Sequence, residues 1–141
     1  MRVNVHIAAI DYQLPSHSLT LEELASDGRL NSPAAALRRF GFERAWVPDP
    51  DEGATLATRA AQRLIASAGV DPDSIDLLFY AAAAPGGHAA AASLLGGFSY
   101  PVSRLQYDLG LTNARTYGVS QSGCLGLMTA ISIGRAMLVA N

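Results

Sequence analysis

The chain has 141 residues, half of them hydrophobic and 16% charged, with a formal net charge of −2 and one Cys. This balance excludes a disordered, collagenous or low-complexity chain and bounds residues 1–141 to a single domain large enough for one core. Every basic residue is an Arg, scattered and outnumbered by acids, so there is no footprint for nucleic acid, and a lone Cys forms no internal disulfide.

Met1–Ile7 lacks the apolar run of a signal peptide, which reads as a cytoplasmic protein. Alternation over Arg2–Ile7 predicts a first strand, ending before Leu14-Pro15. Thr20-Leu21-Glu22-Glu23 matches a capping box, in which a Thr hydroxyl and the Glu three residues on satisfy each other's backbone N–H groups, and it opens a short helix to about Asp27. Ser32-Pro33 starts a second helix through Ala34–Phe40, closed by Gly41. Leu56, Ala60, Leu64 and Ala68 share one stripe of a third helix over Thr55–Ala68, with Gly69 as its stop. Asp71–Ser74 is a turn, and the apolar run Ile75–Ala83 has the pattern of a strand covered on both faces.

Ala84–Ser99 is rich in Ala and Gly and reads as a long loop. Pro101 opens a helix to Leu109-Gly110, Ala114–Ser120 reads as a strand, and Ser122-Gly123-Cys124 leads into a helix from Leu125 to the chain end. Because Arg135, Thr129 and Ser132 interrupt its apolar run, Cys124–Ala140 is expected to fall short of a membrane span and to be a buried helix. Strands alternating with helices predict an α/β fold with a mainly parallel sheet.

Cys124 falls at a strand-to-helix junction, where free helical N–H groups and the positive end of the helix dipole favour a thiolate. Gly123 and Gly126 suit a sharp turn, although the Gly-x-Ser-x-Gly elbow is not met. Spacing by itself leaves open the plainer reading, that a free Cys fills core volume. A Cys nucleophile wants a His base, and the three His are poor candidates: His6 within the first strand, His17 in a loop, His88 in the Gly/Ala segment. No set of residues has zinc-ligand spacing, and Gly86-Gly87 lacks the ending of a phosphate loop.

Taken in order, the segments resemble the N-terminal half of a β-ketoacyl-ACP synthase III type condensing enzyme, of the thiolase superfamily. The resemblance is carried by Tyr12–Pro15 with Leu19–Leu24, by Arg39–Arg44 with Phe40 where the family has Thr, and by Gly69–Leu78. Tyr100–Gln106 through Leu111, and Gln121–Leu127 around Cys124, continue it. It implies an incomplete βαβαβα half of the thiolase-like fold with a mainly parallel sheet, the N-terminal portion of a longer enzyme. It implies further that Cys124 attacks an acyl thioester, with backbone N–H groups at the helix start forming part of an oxyanion site. Arg39 aligns with an Arg that contacts the CoA nucleotide end, and Tyr100 with an aromatic that closes the acyl pocket across a dimer.

Acyl-CoA is then a substrate, no cofactor or metal is needed, and an acyl-carrier protein is the second partner. A homodimer or a complementing C-terminal half is expected, and neither nucleic acid nor a membrane. Ala35 stands where the family has a Trp at the CoA mouth. The family's His and Asn lie in the C-terminal half, and none of His6, His17 or His88 matches that His. A non-catalytic remnant or dimerisation module of the same fold is the alternative. In the full family the last helix is buried between two halves, so the resemblance implies an exposed apolar face here.

Overall fold

The computed structural model describes residues 4–49, 52–82 and 100–140. The predicted Gly/Ala loop, with His88, lies outside the described residues. Residues 4–10 belong to no helix or strand, where alternation predicts a strand over Arg2–Ile7. Alternation decides which side chains share a face; a strand also needs an edge that offers N–H and C=O groups, and residues 4–10 pair with no described strand.

The next elements form a small satellite. Strand β1 (His17–Thr20) pairs antiparallel with β2 (Arg44–Val47), His17 opposite Val47 and Thr20 opposite Arg44. Between them run α1 (Leu21–Ser26) and α2 (Ala34–Arg39). The predicted capping box is formed: the Glu23 N–H donates to Thr20 Oγ1 at 3.2 Å, and the Thr20 N–H donates to the Glu23 carboxylate at 2.7 Å. That bond and the Thr20 hydroxyl hold the Glu23 carboxyl below its ordinary range. Leu21 and Leu24 are buried beneath this cap. Pro33 sits at the N-cap of α2, where the sequence predicts Ser32, so the helix starts one residue later than expected, a shift usual at helix ends.

Helix α3 (Glu52–Ala68) begins three residues before the predicted start. Glu52 supplies the reason, because its carboxylate accepts the N–H groups of Asp49 and Ser16, each at 3.2 Å.

The central layer follows. Strand β3 (Leu77–Ala81), helix α4 (Pro101–Leu109) and strand β4 (Arg115–Val119) come in that order, and the two strands pair in parallel, Leu77 opposite Arg115 and Ala81 opposite Val119. Gly110 ends α4 in the left-handed region, φ 66°, as its position past the last predicted turn requires. The Gln106 amide then donates to the carbonyls of Leu111 and Ala114, at 3.0 and 2.8 Å, and ties the start of β4 back to α4. Leu105, Leu111 and Ala114 are buried at this junction, Leu111 to 1% exposure. The α/β class and a parallel pair are as the sequence predicts, and the antiparallel β1–β2 pair is an addition to them.

After a single 3₁₀ turn over Gly123–Leu125, α5 (Gly126–Ala140) packs on β3 and β4. Small residues make the approach possible. A Cβ at Gly134 would lie 3.4 Å from the Phe79 ring, and one at Gly126 would lie 3.7 Å from the Ala81 Cβ. Phe79 stacks in turn on Tyr117, with ring centroids 5.0 Å apart.

The expectation that this helix is buried is corrected. Gly126 and Ala130 are buried, whereas Leu127, Met128, Ile131, Ile133, Leu138 and Val139 are exposed, and Leu125 before them is 68% exposed. This agrees with the exposed apolar face that the resemblance implies. On length and composition alone the segment does reach the size of a membrane span, a property that core helices of folded proteins share. Gly123–Ala140 has 18 residues and a mean hydropathy of 1.6.

Candidate functional site

A cavity of about 850 Å³ opens along α5. Its floor is the side of β3 that carries Leu77, Phe79 and Ala81, alternate residues as strand geometry requires. Leu127, Ala130, Ile131 and Leu138 of α5 form one wall, and Val5, His6 and Ile7 the other. Ala82, Gly123 and Cys124 close the end nearest the carboxyl termini of the parallel strands, where ligands of open α/β sheets bind.

The turn that carries Cys124 is sharply bent. Gln121 has φ 62° and Gly123 φ 51°, so two left-handed residues lie within three positions just after β4, the second of them opening the 3₁₀ turn. Gly takes that conformation freely, whereas Gln pays on the order of 1 kcal/mol for it. The Leu125 N–H donates to the Ser122 carbonyl at 3.0 Å and closes the turn beneath the Cys. Cys124 is exposed in the described chain. Negative charge formed on its sulfur would lie at the positive end of α5.

The other residues singled out in the sequence fall elsewhere. Arg39 ends α2, exposed, and does not line the cavity. Tyr100 caps α4, with its carbonyl accepting the N–H groups of Ser103 and Arg104, and its ring is exposed away from the cavity lining. Of the His residues, His17 lies 3.7 Å from Asp49. His6, read as a packed or edge residue of a strand, is exposed and shares the cavity with Cys124. Among the described residues no cluster of three His, Cys, Asp or Glu could hold a metal ion.

Sequence reasoning passed over Arg63. It joins α3 to Asp11, Tyr12 and Gln13 across about fifty positions, and no local pattern signals a pair so far apart. Hydrogen bonding to Arg63 holds the Asp11 carboxyl below its ordinary range, and the same bond raises the guanidinium.

No family profile matches the chain. It is 30% identical over 134 residues to a β-ketoacyl-[acyl-carrier-protein] synthase III of Granulibacter bethesdensis, covering 94% of this chain and 38% of that protein. The chain is β-ketoacyl synthase III-like. A synthase III of Acidiphilium cryptum is 29% identical over 130 residues, 91% of this chain and 37% of its own length. The synthase III-like chain thus spans well under half the length of the curated relatives it matches.

Solved structures agree. A 3-oxoacyl-(acyl-carrier-protein) synthase III is 28% identical with a TM-score of 0.72, over 93% of this chain and 36% of that one. MvaS in complex with 3-hydroxy-3-methylglutaryl coenzyme A is also 28% identical, with a TM-score of 0.71, over 96% and 32%. The Aquifex aeolicus synthase III, at 19% identity and a TM-score of 0.72, supports the fold alone. The synthase III-like chain has the α/β, thiolase-like architecture and corresponds to the N-terminal part of these enzymes.

Proposed function

We propose that the chain is the acyl-accepting part of a synthase III-like acyltransferase, with Cys124 as nucleophile. The Cys124 sulfur forms a bond to the thioester carbonyl carbon of an acyl-CoA, the bond from that carbon to the CoA sulfur breaks, and CoA leaves as a thiolate that takes up a proton. Decarboxylation of a malonyl unit on a carrier protein then supplies a carbanion that attacks the acyl carbon and releases Cys124. Transfer to another acceptor is the variant of this second half.

Arg39 is assigned to the CoA nucleotide end and Tyr100 to the acyl pocket across a homodimer. The His and Asn that complete the family's chemistry come in this reading from a complementing C-terminal half. The reaction needs no cofactor beyond acyl-CoA as substrate, and it takes place in the cytoplasm. One observation supports the reading above the others: in a synthase III-like chain, the exposed thiol of Cys124 sits at the head of α5 and at the end of a largely apolar cavity of about 850 Å³.

The test is intact-mass analysis after incubation with acetyl-CoA and hexanoyl-CoA, with a synthase III C-terminal half added. An adduct of one acyl group that disappears in Cys124→Ala is expected. No adduct on the wild-type chain overturns the assignment and favours an interaction module.

A further inference from the structure

Among the described residues, no strand ladder holds the N-terminal wall of the Cys124 cavity. Val5, His6 and Ile7 line the cavity, yet residues 4–10 belong to no helix or strand. The next point along the chain at which side chains fasten it is on α3. Arg63 Nε donates to Asp11 Oδ2 at 3.1 Å and Nη2 to Asp11 Oδ1 at 2.8 Å. Nη1 donates to Gln13 Oε1 at 2.8 Å, and Nη2 also donates to the backbone carbonyl of Tyr12.

All three guanidinium nitrogens are used on three consecutive residues, an arrangement open to the planar fork of Arg and not to the point charge of Lys. A lone surface ion pair would fix little, because both partners are free to move. This one differs in that it grips a main-chain carbonyl as well, and the Asp11 side chain is only 24% exposed. Further along, the Ser16 N–H bonds to Glu52 at the start of the same helix, so the segment is fastened at two points along α3.

We propose that Arg63 is a positioning residue for the Cys124 cavity, clamping Asp11–Gln13 to α3 and thereby setting how closely Val5–Ile7 stand to α5. It touches no substrate and acts through the segment it holds. The inference rests on the nucleophile reading for its purpose, but its geometry is testable without any acyl transfer.

The experiment compares alkylation of Cys124 in the full chain by a small reagent, iodoacetamide, and a bulky one, fluorescein maleimide. Loosening the wall opens the cavity, so Arg63→Gln is expected to raise the bulky-to-small rate ratio about fivefold, with the far-UV spectrum unchanged. Arg63→Lys keeps the charge but not the fork, and is expected to behave closer to Arg63→Gln than to the wild type. Asp11→Asn should move the ratio in the same direction by less, since the bonds to Tyr12 and Gln13 persist.

An unchanged ratio in folded Arg63→Gln overturns the proposal. If that variant does not fold, Asp11→Asn and Gln13→Ala, which leave α3 untouched, decide in its place. A shifted ratio in a chain that never takes an acyl group would sustain the clamp and sink the nucleophile reading.

Discussion

Helix α4 packs on both central strands and on α3, with Leu105, Leu111 and Ala114 buried around it, while α5 packs on the same two strands and leaves most of its apolar side chains in water. The sequences of the two helices differ accordingly. Ser103, Arg104 and Asp108 give α4 a polar side, and Arg104 and Asp108 pair one turn apart at 2.8 Å. Apolar almost all round, α5 has the pattern of a helix meant for cover on several sides, and the described chain covers one. The contrast separates two uses of apolar residues: those beside α4 hold the fold, and those on the outer side of α5 await contact.

Substitution should separate the two sides most clearly at their leucines. Leu111→Ala removes a side chain that is 1% exposed and is expected to cost about 2–4 kcal/mol in urea unfolding. Leu127→Gln on the open side of α5 should change stability by no more than about 0.5 kcal/mol while lowering the binding of a hydrophobic dye. Equal losses from both would erase the distinction.

A smaller effect is expected where α5 does touch the sheet. Gly134→Leu drives atoms into the Phe79 ring and should cost about 1–3 kcal/mol with a lower Tm, while Gly134→Ala, whose Cβ meets that ring at ordinary contact distance, is tolerated.

The least effect belongs to acid. Asp11 has its carboxyl lowered chiefly by the bond to Arg63, so its contribution is complete above the ordinary carboxylate range and is lost as pH falls through the lowered value. Hydrogen exchange should then quicken around residues 11–16 on acidification, before the amides around Leu111 respond. Simultaneous loss at both places would mean that the N-terminal wall and the α4 side are one cooperative unit.

Much of this was legible beforehand because it is local. The Thr20–Glu23 box, the N-terminal Pro and C-terminal Gly of α4, and the stripe through Leu56, Ala60 and Leu64 each encode an element within a few residues. Strands β1 and β2 were missed since four residues carry too little alternation, and their pairing depends on α1 and α2 bringing distant segments together. The first strand was expected from a real alternation with no described edge to meet it. Cys124 could be placed at a strand-to-helix junction from Gly123 and Gly126, but the turn before it includes the left-handed Gln121, a residue type that does not announce that conformation. The share of His6 in the cavity and the grip of Arg63 are tertiary facts with no short-range signature.

The short turn from Val119 to Gly126 also works as a phase setter. Each residue of a helix advances it by about 100° of rotation and 1.5 Å of rise. One residue inserted or deleted here would swing Gly126, Ala130 and Gly134 off the sheet and present a bulky apolar side chain to Phe79. The count of residues between β4 and α5 thus fixes which edge of the helix the sheet meets, and with it the side of the cavity on which the thiol emerges.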